Sequence, residues 1–131
     1  MAFTSAERHQ LLRMTEKIVA PDCRAAFNHL FAWACIESGL HVRAKNRTAF
    51  AAIHLAVDPD GPEEFGFISA GSHLKWYFRK PGLTSRLWTW ETIQHAYPEA
   101  DMRRRYDEIT LDLKSFSEAR ALTNFVDRLL Q

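Results

Sequence analysis

At Gly39 the spacing of the apolar residues changes from helical to extended, and a chain that makes this change in its first third is committed to an α+β division. Before Gly39, "TSAERHQLLRMTEKIVA" opens with Thr4 and Glu7 at the spacing of a capping box, and Leu11, Met14 and Ile18 form one stripe. This predicts a helix over about residues 5–19. Pro21 and Asp22 end it and begin a second, in which Phe27, Leu30, Phe31, Ala34 and Cys35 share a face. Gly39 supplies the stop.

After Gly39 the period is two. "HVRAKNR" alternates, "TAFAAIHLAV" is a nearly continuous apolar run, and "FGFIS" and "HLKWYFRK" follow beyond the turn-rich "DPDGPEE". Short connections between four such segments predict an antiparallel meander. "WTWETIQHAY" reads as a short helix ended by Pro98, and "EADMRRRY" as a further helical turn. "EITLDLK" alternates again, as a fifth strand. Ser115 and Glu118 then cap a last amphipathic helix carrying Ala119, Leu122, Val126, Leu129 and Leu130. The expectation is one α+β domain over residues 1–131: a helical pair over 1–39, then over 40–131 an antiparallel sheet of about five strands with helices on one face.

The length and the 47% apolar content allow a core without covalent staples. Cys23 and Cys35 lie twelve positions apart in one expected helix. That separates them by about 18 Å, too far for a disulfide. Thiols fit a reducing, cytoplasmic setting. No apolar run is long enough to span a bilayer, and no signal peptide is visible, so no membrane partner is expected.

The net charge of +1 is uninformative, but its distribution is not. No acid occurs between Glu37 and Asp58, or between Glu64 and Glu91. In "HLKWYFRK", alternation sends Leu74, Trp76 and Phe78 to the core, and His73, Lys75, Tyr77 and Arg79 to the other face. In "HVRAKNR", His41, Arg43, Lys45 and Arg47 share a face. If both strands belong to one sheet, they make a basic stripe with a tyrosine in it. Such a stripe either keeps a solvated sheet from aggregating, or attracts phosphates while the ring stacks on bases. As a functional site it comprises Arg43, Lys45, Arg47, Lys75, Tyr77 and Arg79. Its partner would be a nucleic acid or other polyanion, or alternatively an acidic or nucleic-acid-handling protein on which this chain acts as a small bacterial or phage interaction or inhibitor protein. Arg103, Arg104 and Arg105 point three ways on a helical turn and are flanked by Asp101, Asp107 and Glu108, which reads as solvated surface.

The chain carries no catalytic motif, and no metal or cofactor is expected. "DPDGPEE" has glycine directly after its second aspartate and two prolines, so it is a hairpin loop and not a calcium loop. The six histidines include no pair at i, i+4. Cys35 belongs to packing, and His54 reads as semi-buried within its strand. A third function class, a metal-dependent hydrolase or nuclease, would have to rest on Glu64 and Asp112, and no E-x-K occurs within a strand. Of Trp88 and Trp90, one is expected buried and the other exposed if the segment is extended.

Three segments in order, "TAFAAIHLA", "HLKWYFRKPG" and "EITLDLKSFSEARALTNFV", resemble a family of small uncharacterised bacterial α+β domains found near or fused to nuclease-like proteins. Leu74, Tyr77 and Arg79 match its L-x-x-Y-x-R strand, and Leu113, Lys114 and Ser115 its last junction. "LWTWETIQHAYPEADMRRRY" stands where that family has a Gly-Trp-Gly-type loop. The resemblance implies an accessory role in nucleic-acid handling and carries over no catalytic residue.

Overall fold

The computed structural model describes His9 and residues 21–44, 51–70, 73–79 and 88–131. The helix expected over 5–19 lies outside the described residues. Helix α1, Pro21–Ala32, starts on a proline, whose missing N–H costs nothing in the first turn, and Asp22 faces the helix dipole there. It continues through a widened π turn, Trp33–Glu37, closed by the Ser38 N–H donating to the Trp33 carbonyl at 2.8 Å. Gly39 then takes a left-handed φ of 73°, a conformation that suits a residue without Cβ.

Six strands follow: β1 His41–Ala44, β2 Ala51–Ala56, β3 Phe65–Ala70, β4 His73–Arg79, β5 Asp101–Arg103 and β6 Glu108–Asp112. They form one antiparallel sheet in the order β1-β2-β3-β4-β6-β5. Helix α2, Trp90–Ala96, precedes β5, and helix α3, Phe116–Leu130, follows β6. The expected meander is β1 to β4. The expectation of about five strands is corrected to six, because part of "EADMRRRY" is β5 and not a helical turn. Its residues are good helix formers, but Met102 pairs with Ile109 across the hairpin, and that pairing overrides local preference. A 3-10 turn, Arg104–Tyr106, joins β5 to β6 and ends on Asp107 with φ 54°. Aspartate tolerates this left-handed position better than most residues.

Alternation gives the sheet one apolar face. Val42, Leu55, Phe65, Phe78 and Ile109 make one buried row, and Ile53, Phe67, Trp76 and Leu111 the next. The helices cover this face: Phe27 of α1 meets Phe67 edge-on at 5.8 Å, Trp33 meets Trp76 at 6.1 Å, and Phe125 of α3 meets Phe78 at 6.4 Å. Two polar contacts tie the helical layer together. The Trp33 Nε1–H donates to Asp127 Oδ1 at 3.0 Å, and His29 Nε2 lies 2.9 Å from Thr123 Oγ1. Trp88 is buried against Phe78, while Trp90 is half-buried.

The second capping box forms. The Ser115 Oγ accepts from the Glu118 N–H at 3.2 Å, while the Glu118 carboxylate accepts from the Lys114 N–H at 2.6 Å. Ser115→Ala should therefore cost about 1 kcal/mol in a denaturation experiment, within the usual cap range of roughly 0.5–2. A loss below about 0.3 kcal/mol would show that the cap is redundant. No described helix is long and apolar enough to cross a membrane.

Candidate nucleic-acid interface

The face of the sheet turned away from α1 and α3 is built by the other set of alternating residues. One cross-strand row runs Arg43, His54, Gly66, Tyr77, Thr110, Asp101. A parallel row holds Lys75 opposite Asp112. Another holds Arg79, Glu108 and Arg103. Arg43 and Tyr77 do share one face, as the alternation requires, but β2 and β3 separate their strands by about 14 Å. Lys45 and Arg47 lie outside the described residues.

Carboxylates that sequence alternation could not place are interleaved among these cations. Arg43 donates to Glu63 Oε2 at 3.2 Å and to the Pro59 carbonyl at 2.7 Å, so its guanidinium fastens the β2–β3 loop. Lys75 is 3.7 Å from Asp112 Oδ1, with both side chains about half exposed (47% and 61%). A pair so open to water is worth at most about 1 kcal/mol and can be exchanged for another anion. Arg103 donates to Glu108 Oε1 at 2.8 Å.

Arg79 differs. It is half-buried, and among the described residues it pairs with no carboxylate and its buried Nε has no hydrogen-bond partner. The carboxylate directly across from it, Glu108, is engaged by Arg103. The guanidinium instead lies 5.3 Å from the centre of the Tyr77 ring. Burial raises the Tyr77 phenol pKa, with the charge of Glu108 adding to the shift, so the ring stays neutral at physiological pH. A cation beside a neutral ring, with no carboxylate partner among the described residues, is set up to attract an anion.

Gly66 sits between His54 and Tyr77 in the central row and is buried. A Cβ at this position would come within 3.0 Å of the Ile53 carbonyl of the neighbouring strand. Gly66→Ala should destabilise by about 1–3 kcal/mol, as overpacking does, measured as a shift of the denaturation midpoint. An unchanged midpoint would mean that the β2–β3 spacing gives way freely.

The acids considered for hydrolysis do not converge. Glu64 is buried, and its Oε2 accepts from the Val57 N–H at 2.9 Å, closing the β2–β3 loop. Asp112 is exposed, at the Lys75 end of the sheet. Glu64 neighbours Arg79 through a backbone hydrogen bond, four positions along β4 from Lys75, or about 13 Å. Among the described residues, no group of three or more His, Cys, Asp or Glu is arranged to hold a metal. His54 is buried with Nδ1 3.8 Å from Glu63, and Cys23 and Cys35 are thiols. A cleft of about 480 Å³ opens between the α2–β5 connection and the start of α3. Of its polar lining, Glu118 and Lys114 are joined by the cap and Asp112 is paired with Lys75.

The arginine triplet does not lie on the helical turn that the sequence reading expected. On a strand end followed by a 3-10 turn, Arg103 and Arg105 both approach the Tyr106 ring, at 4.6 and 5.8 Å, and Arg104 lies over Trp90 at 4.6 Å. The only sequence signal for this cluster was "RRRYD" ahead of an alternating strand, and it becomes readable only once β5 is known to pair with β6.

No family model, curated protein or solved structure matches this chain.

Proposed function

We propose that the protein is a non-enzymatic binding module that holds a nucleic acid or another polyanion on the sheet face turned away from α1 and α3. The observation that supports this reading is Arg79: a half-buried guanidinium with no carboxylate partner among the described residues, resting against the neutral Tyr77 ring. A phosphate would supply a counter-charge for the guanidinium, and a base could stack on the ring. Lys75 would join by leaving Asp112, an exchange that its exposure makes inexpensive. Arg43 contributes charge from a fixed position, because two hydrogen bonds hold it to the loop. Lys45 and Arg47 complete the proposed set.

The interleaved Glu63, Glu108 and Asp112 favour a second reading, an interaction module for a protein whose surface alternates in charge. Fluorescence anisotropy with labelled DNA and RNA at two salt concentrations separates the two. Binding that weakens steeply with salt supports the polyanion reading. No binding at low salt removes it and leaves the protein partner.

A further inference from the structure

The uncompensated charge of Arg79 does not end at β4. In the same cross-strand row, beyond Glu108, lies Arg103, two strand spacings or about 10 Å away. Arg103 also contributes to the field at the Tyr77 hydroxyl. From Arg103 the surface continues onto the turn that closes the β5–β6 hairpin at the edge of the sheet. Tyr106 is 59% exposed there, an unusual position for so large a ring. Arg103 and Arg105 flank it. Arg104 and Arg105 are exposed, and among the described residues neither makes an ion pair; aromatic rings are their neighbours. Arg43 and Lys75 on this sheet face are paired with acids, whereas the turn presents Arg104 and Arg105 with no ion pair among the described residues and an exposed aromatic ring.

We infer that the β5–β6 turn extends the Tyr77–Arg79 surface into a site for single-stranded nucleic acid, with Tyr106 as the stacking platform and Arg104 and Arg105 as phosphate contacts. This inference rests on the polyanion reading and specifies its strand type. Duplex DNA and RNA keep their bases stacked inside, so an exposed ring beside cations adds nothing to duplex binding beyond charge. A single strand offers unpaired bases, each with a π-face that any accessible aromatic ring can take, while its phosphates reach the neighbouring guanidinium groups. Arg105, 5.8 Å from the ring centre, can turn to a phosphate and leave that side of Tyr106 to a base. The left-handed Asp107 closes the turn on which Arg103 and Arg105 both approach the Tyr106 ring.

The test uses the full chain and two labelled probes, oligo(dT) of about 20 nucleotides and a duplex of the same length, read by anisotropy at about 50 and about 200 mM salt. Tyr106→Ala should weaken oligo(dT) binding about tenfold and leave duplex binding unchanged. Arg105→Ala should lower the salt slope by about one. Tyr106→Phe, which keeps the ring, should bind as the parent does. Both positions are exposed, and a thermal melt confirms that each variant is folded. If Tyr106→Ala binds oligo(dT) as tightly as the parent while charge reversal at Lys75 and Arg79 abolishes binding, the turn is not part of the site, and the sheet-face reading survives alone. A parent protein that prefers the duplex also overturns the inference. A parent that binds neither probe at low salt overturns both readings.

Discussion

Replacing Trp76 by alanine should remove about 3–5 kcal/mol of stability, close to the whole margin of a less stable domain. Trp76 is fully buried at the middle of the apolar face. Its indole lies 6.0–6.2 Å from four other rings, those of Trp33, Phe65, Phe67 and Phe78, and is nearly parallel to Phe67 at 9°. Trp33 comes from the helical layer and the other three from the sheet, so the indole is where the two layers meet. Alanine leaves a cavity that these side chains, held on separate strands, fill only in part. Urea denaturation should show a lower midpoint at an unchanged slope. The indole Nε1 has no hydrogen-bond partner, so Trp76→Phe should recover much of the loss. A loss below about 1 kcal/mol for the alanine variant would show that the layers do not depend on this ring.

Reversing two charges on the sheet face turned away from α1 and α3 should have the largest effect on binding. In Lys75→Glu/Arg79→Glu, two cations become anions beside Asp112 and Glu108. The expected result is loss of salt-sensitive nucleic-acid binding, since each phosphate contact contributes about 0.9 to the salt slope and the new carboxylates repel the backbone. The double variant must first be shown to fold. Lys75 is exposed, and at Arg79 the milder Arg79→Gln, which removes charge while keeping hydrogen-bonding capacity, serves as a control. It should weaken binding about tenfold, the order expected when a charged hydrogen bond is lost. Unchanged affinity in a folded double variant would exclude this face as the site and turn attention to a protein partner.

These two expectations divide along the same line as the sequence. Trp76 was assignable to the core from "HLKWYFRK" alone, because period-two alternation sends bulky residues to one side whatever the strand pairs with. Lys75, Tyr77 and Arg79 were assignable to the other side for the same reason. Their neighbours were not. That Lys75 faces Asp112, and that Glu108 is taken by Arg103 and leaves Arg79 uncompensated, depends on β6 entering between β4 and β5. Strands that are neighbours in the sheet need not be neighbours in the chain, and alternation carries no record of partners. The same limit separated Arg43 from Tyr77 by two intervening strands and hid the tie from Arg43 to Glu63, twenty residues on.

Sequence by itself determined the α+β division at Gly39, the four-strand meander, the buried row through Leu74, Trp76 and Phe78, and the cap at Ser115. All are local: each follows from the spacing of side chains within one segment, or from hydrogen bonds that reach three or four residues. Tertiary structure alone decided that Asp101–Arg103 is a sixth strand, that Arg103 and Arg105 meet at Tyr106 while Arg104 lies over Trp90, and which cations keep an unmatched charge among the described residues. Those outcomes turn on long-range strand pairing, which outweighs the weak helical preference of "EADMRRRY" and brings together charges that are distant along the chain.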